Sequence, residues 1–134
     1  MEENISVLGL EWHTDSDMLS CKTQLTIERD KPVTKRLVLA VAHQVFDPIG
    51  FTAPVMLIPK LILQETWDLK LKWDEILPDD FIRKFKMWCL QLNALSEIKL
   101  PRWLNISPTD VSLSVHVFCD ASQRAYAVCL FKSS

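Results

Sequence analysis

Asp120 is the side chain in this sequence best placed to do chemistry. It closes an alternating apolar run, Val111 to Cys119, and precedes Ala121-Ser122-Gln123-Arg124, which can turn the chain. A carboxylate fixed by a rigid strand is well placed to hold a divalent metal. The plainer account is a turn-opening aspartate, whose short side chain bonds nearby backbone. Both accounts stay open on the residues alone. His13, His43 and His116 have no mutual spacing that implies zinc. Cys21, Cys89, Cys119 and Cys129 have no paired metal spacing either, and read as reduced thiols. Cys119 and Cys129 are expected to face each other across a hairpin. The acid pairs Asp74-Glu75 and Asp79-Asp80 suit a helix start better than acid–base catalysis. Lys35, Arg36, Lys60, Lys70 and Lys72 could reach phosphates or simply form a solvated face, and Trp12 or Trp103 could stack on a base.

Bulk composition narrows the classes. The chain has 134 residues, 49% of them hydrophobic and 24% charged, a globular and not a disordered balance. Two glycines, Gly9 and Gly50, exclude a glycine-rich phosphate loop. Net charge is −2, so any nucleic-acid contact must come from local patches and not from an overall basic field. No apolar run reaches the roughly 18–20 residues of a membrane span. The acidic start Met1-Glu2-Glu3-Asn4 lacks the pattern of a signal peptide. The expected location is intracellular, cytoplasmic or nuclear, with no membrane partner.

The elements that must position these groups follow from spacing. Ile5 to Trp12 is rich in strand formers, His13 to Asp17 reads as a turn, and Leu19, Cys21, Thr23, Leu25 and Ile27 alternate with mostly polar residues. A β-hairpin is expected there. Thr34 can cap a helix through Phe46, with Leu37, Val38, Val41, Ala42, Val45 and Phe46 as its stripe. Asp47-Pro48-Ile49-Gly50 stops that helix with turn-forming residues. A second helix is expected from about Thr52 to Lys72, kinked or delayed by Pro59. A third starts at Pro78 and sets Phe81, Phe85, Trp88, Leu92 and Leu95 on one face. Val111 to Cys119 and Ala125 to Phe131 then make a strand pair.

Several blocks together resemble the Pol polyprotein of BEL/Pao retrotransposons. Val7-Leu8-Gly9-Leu10-Glu11-Trp12 followed by Asp17-Met18-Leu19 resembles the family's hairpin at the primer grip of reverse transcriptase. Thr34-Lys35-Arg36, Phe46-Asp47-Pro48-Ile49-Gly50, Ala53-Pro54-Val55, Lys60 to Gln64, Trp67 and Trp73-Asp74 resemble the next block, the polymerase thumb and connection. Phe118-Cys119-Asp120-Ala121-Ser122 with Arg124-Ala125-Tyr126-Ala127-Val128 resembles the opening of ribonuclease H. Ala127 stands where many relatives carry glycine.

The resemblance implies an α+β fold in three parts. Residues 1–33 would be the primer-grip-like β-hairpin and connector, 34–110 a helical thumb/connection-like region of three helices, and 111–134 the truncated start of a ribonuclease H-like domain. It implies that the chain is a fragment of a reverse transcriptase/ribonuclease H polyprotein that contacts primer–template and links two active sites. The implied partners are an RNA–DNA hybrid or primer–template and the remainder of the Pol polyprotein. Leu8, Gly9, Trp12, Lys35, Arg36 and Lys60 would contact nucleic acid. Asp120 would be the first Mg²⁺ ligand, catalytic only within a complete ribonuclease H domain. No Tyr/Phe-x-Asp-Asp turn occurs in the sequence, and two-metal chemistry needs several converging ligands, so the chain is expected to be incomplete as an enzyme. The alternative function is a helical protein-interaction module derived from the element. An aspartic peptidase is disfavoured, because Asp120-Ala121-Ser122 lacks the glycine of that motif.

Overall fold

The computed structural model describes residues 4–23, 30–109 and 112–133. The chain is mixed α+β, with antiparallel strands in two separate sheets. It divides into two compact units, Met1–Arg102 and Trp103–Ser134.

The first unit opens with an antiparallel meander of β1 (Asn4–Val7), β2 (Leu10–His13) and β3 (Met18–Cys21). The expected single strand from Ile5 to Trp12 is broken in two. Val7 pairs with Leu10, and the two residues between them, Leu8 (φ 50°) and Gly9 (φ 83°), make a tight turn. Positive φ at both central positions suits the right-handed twist of the flanking strands. Gly9 is required twice over: its φ strains other residues, and an added Cβ would run into the Phe46 ring. A short fourth strand, β4 (Leu100–Pro101), pairs with Met18 and Leu19 of β3. Leu25 and Ile27 of the expected hairpin lie outside the described residues.

Thr34 caps α1 (Lys35–Ala42) as its sequence predicts, accepting from Leu37 N at 3.2 Å. The helix ends four residues short of Phe46, and Phe46 stays 54% exposed, not in the stripe. Asp47 organises the following loop. Its carboxylate accepts from Gly50 N at 2.8 Å, Thr52 N at 2.7 Å and the Thr52 hydroxyl at 2.6 Å.

α2 spans Ala53–Asp68. It stops short of the expected Lys72 because Lys70 turns left-handed (φ 54°). Lys70 N then donates to Trp67 O at 2.9 Å and Leu71 N to Thr66 O at 3.2 Å. That closure is a Schellman motif in which lysine takes the place usually given to glycine.

α3 (Asp79–Gln91) runs into a 3₁₀ turn, Leu92–Glu97. Phe81, Phe85, Trp88, Leu92 and Leu95 are all buried, as their spacing predicts. With Val33, Val38, Val41, Val45, Met56, Ile62 and Leu77 they form the main core. Leu10, Leu19 and Cys21 form a smaller cluster under the meander, with Trp12 and Phe51 against it.

The second unit contains β5 (Ser114–Ala121) and β6 (Tyr126–Ser133), paired in register from Ser114↔Ser133 to Ala121↔Tyr126. Val111 lies outside the described residues. The apolar alternation along this strand does not carry either face into a core. All of β5 is exposed, and the core clusters of the described residues include nothing beyond Leu95.

Candidate functional site

Asp120 sits inside β5, one position before its end, opposite Ala127. It is exposed, and its carboxylate accepts from the next amide, Ala121 N, at 2.8 Å. The turn itself is tied by Ser122, whose N–H and hydroxyl both donate to Ala125 O, at 2.8 and 3.1 Å. Side chains alternate across a strand, so Ser114, His116, Phe118 and Asp120 share one face with Ala127, Cys129 and Phe131. Phe118 and Phe131 meet edge to face on it, 5.6 Å between centroids. The same register separates the two cysteines of the hairpin. Cys119 pairs with Val128 and Cys129 with Phe118, so the thiols point to opposite faces and remain free.

No group of three His, Cys, Asp or Glu side chains able to hold a metal occurs among the described residues. Mg²⁺ sites use few protein carboxylates, completed by water and substrate phosphate. Asp120 matches that chemistry as one ligand, and the described residues do not supply a two-metal set.

At the other end of the chain the candidate contacts spread along the meander. Leu8 stands at the turn tip, 79% exposed, with Gly9 beside it pressed on Phe46. Trp12 is half-buried on β2 and donates its indole N–H to Asp17 Oδ1 at 2.9 Å. Sequence reasoning missed what completes this cluster. Arg102, 85 residues away from Asp17, places its guanidinium 5.0 Å from the Trp12 ring centroid and grips the Asp17 carboxylate at 2.6 and 3.2 Å. The Arg102 guanidinium holds the Asp17 carboxyl below the usual carboxylate range. No local pattern around Arg102 signals this, because the contact depends on β4 pairing with β3.

The three basic candidates differ in what the fold does with them. Lys35 is 5% exposed, with its ammonium 5.6 Å from the Trp67 ring centroid. Arg36 is exposed but held two-pronged by Asp74, at 2.7 and 3.0 Å. Asp74 is thereby also drawn below the usual carboxylate range, so it serves Arg36 and does not start a helix. Lys60 is exposed in the middle of α2. Trp67 and Trp73 flank the first two, edge to face at 6.3 Å, and both stay exposed. His13 bonds Ser20 Oγ at 2.8 Å and His116 bonds Ser114 Oγ at 3.0 Å, local pairings with no metal geometry.

A family model, the Pao retrotransposon-like RNaseH-like domain, matches residues 34–134. The match begins at Thr34, the cap of α1, and takes in the helices as well as the hairpin that carries Asp120. Comparisons with curated proteins and with solved structures give no match.

Proposed function

The chain belongs to the family of Pao retrotransposon-like RNaseH-like domains, and from that membership we propose that it works as the segment of a Pol polyprotein that joins reverse transcriptase to ribonuclease H. In this reading the meander and helices contact primer–template, and the hairpin brings Asp120 to the RNA-cleaving centre. The observation that carries it is the family match running unbroken across both units. Asp120 supports it by lying exposed within a strand, not free in a loop. Mg²⁺ would be held there by Asp120 together with carboxylates from other parts of the enzyme, and would supply the charge that activates water and stabilises the leaving oxygen. A single carboxylate does not sustain that reaction, so the chain by itself is a binding element.

Contact with nucleic acid should be weak and independent of sequence. Lys35 is covered by Trp67 and Arg36 is held by Asp74, which leaves Lys60 as the exposed cation of the three that no carboxylate holds. Each phosphate neutralised adds close to one unit to the salt slope, so one contact gives a slope of about −1. The test is titration of an RNA–DNA hybrid at several salt concentrations, with Lys60→Ala lowering the slope by about one unit. Affinity that ignores salt would defeat the reading.

A second reading has its own observation. Ile58, Met87 and Trp88 line an open groove of about 410 Å³ between α2 and α3, rimmed by Arg83, Lys84 and Gln91. Leu90, also on α3, is 75% exposed. Exposed apolar side chains rimmed by polar ones suit a protein partner. Binding to another part of the polyprotein, unaffected by salt and lost in Met87→Glu, would favour it.

A further inference from the structure

Trp67 and Trp73 are 61% and 41% exposed, yet the surrounding chain holds both in place. Trp67 lies in the last turn of α2, and Lys35, itself buried, sets its ammonium 5.6 Å from that ring's centroid. Lys70 N and Leu71 N close the helix end on Trp67 O and Thr66 O, and Leu71 packs against the main core. Trp73 O accepts from Arg36 N at 3.2 Å, which ties the far end of the loop to the first turn of α1. The two rings meet at 81°, 6.3 Å between centroids. Such a corner offers a flat ligand one face to stack on and one edge to abut. The indole N–H groups of Trp12 and Trp88 have acceptors, while among the described residues those of Trp67 and Trp73 have none.

The loop between the rings is basic. Lys70 and Lys72 both stand exposed in it, and among the described residues neither pairs with a carboxylate. The carboxylates that follow are occupied: Asp74 holds Arg36, and Glu75 accepts from Lys72 N at 3.0 Å. Asp68, next to Trp67, is exposed and offsets part of the lysine charge. Aromatic faces interleaved with free cations match an unpaired nucleic-acid strand, whose bases stack while its phosphates take the cations. A duplex keeps its bases stacked inside along its length and would leave both rings unused. An apolar protein surface would use the rings and leave the two ammonium groups without anions. The Lys35 ammonium also draws π density toward its own side of Trp67, which favours a second ring on the exposed side.

We propose that Trp67 and Trp73, with Lys70 and Lys72, form a stacking site for an unpaired stretch of nucleic acid. One base stacks on Trp67 against the edge of Trp73, and the flanking phosphates take the two lysines. The loop is already closed on α2 and tied to α1, so little ordering is required when the strand arrives. This rests on the proposed primer–template role in taking the chain to contact nucleic acid, and adds that the strand bound here is single. Template that extends unpaired beyond the duplex has that chemistry. Lys60 serves the duplex and is not part of the site.

The experiment is anisotropy titration of the full chain with labelled oligodeoxythymidine of about ten nucleotides, and with an abasic strand carrying the same phosphates. The abasic strand should bind about five- to 150-fold more weakly, the range for one stacked base. Trp67→Leu keeps an apolar cover on Lys35 but removes the aromatic face, so it should lose affinity by a similar factor at unchanged salt slope. Trp67→Phe keeps a face and should stay within about threefold of the natural chain. Lys70→Gln/Lys72→Gln should lower the slope by about 1.4, for two phosphates of a single strand. Urea midpoints check that each variant is folded, and where Trp67→Leu is not, Trp73→Leu takes its place. Equal binding of the two strands, or equal binding by the leucine and phenylalanine variants, would overturn the site. An RNA–DNA hybrid titrated alongside separates the two failures. Salt-dependent hybrid binding through Lys60 with no preference for bases rejects this site alone, whereas hybrid affinity that ignores salt rejects the role it rests on.

Discussion

Pro59 removes a backbone donor from the middle of α2, which leaves the carbonyl four residues earlier without its helical partner. That carbonyl is Val55 O, and the indole N–H of Trp88 donates to it at 2.9 Å. Trp88 therefore does two things: it fills the core and it satisfies the polar group that Pro59 exposes. Trp88→Phe keeps much of the packing and removes the donor. It should destabilise by about 1–3 kcal/mol, the cost of stranding a buried acceptor plus some lost volume. In a Pro59→Ala background the helix can supply its own N–H, so the same change should cost less. Urea midpoints of the four chains give the coupling, and strict additivity would refute the pairing. Asp120 is the opposite kind of residue. Exposed and bonded to its own next amide, it can be replaced by Asn with a change within about 0.5 kcal/mol. A larger loss in thermal unfolding would mean that the carboxylate holds the hairpin together and is not spare for a metal.

Among the elements, α2 shows how a helix end can be hidden from sequence reading. Its apolar spacing continues past Asp68, and no glycine or asparagine marks the stop. Lys70 adopts the left-handed conformation regardless, because the Thr66 and Trp67 carbonyls are satisfied by the closure and Leu71 packs against the core. Lys70→Gly should relieve the Cβ strain and raise stability by about 0.5–1 kcal/mol, after the added entropy of unfolded glycine is subtracted. The check is a higher urea midpoint with an unchanged slope. α3 is the contrasting case. Its face was legible from intervals of three and four, because that spacing keeps Phe81, Phe85 and Trp88 on one side of the helix and carries on to Leu92 and Leu95 in the 3₁₀ turn.

For the whole molecule, acid response follows from two exposed ion pairs, Asp17 with Arg102 and Asp74 with Arg36. In each the guanidinium hydrogen bond lowers the carboxyl from its ordinary value of 3.8. A carboxyl lowered on folding contributes stability above its unfolded value, and that contribution is lost as pH falls through the folded one. Stability of the first unit should thus lose these contributions only below about pH 3.8, and 1 M salt should blunt the effect because both pairs face solvent. Unfolding midpoints from pH 7 to pH 2 test this, with Asp17→Asn/Asp74→Asn expected to flatten the low-pH limb. An unaltered limb in that double variant would place the acid sensitivity elsewhere.

Sequence alone determined the α+β class, the Thr34 cap, the buried face of α3 and the family resemblance that the match over residues 34–134 bears out. All of these are written in spacing over a few residues, or in short motifs kept in order, so no distant partner is needed to read them. Tertiary structure decided the rest. It split the first strand at Leu8-Gly9, covered Lys35 with Trp67, tied Arg36 to Asp74, brought Arg102 to Trp12 and Asp17, and left both faces of the hairpin open. A cation is a phosphate contact or an internal partner according to which side chain the fold lays over it. An alternating strand specifies two faces but not which of them another element will cover. Those outcomes depend on groups tens of residues apart meeting in space, and their energies exist only once the chain has packed.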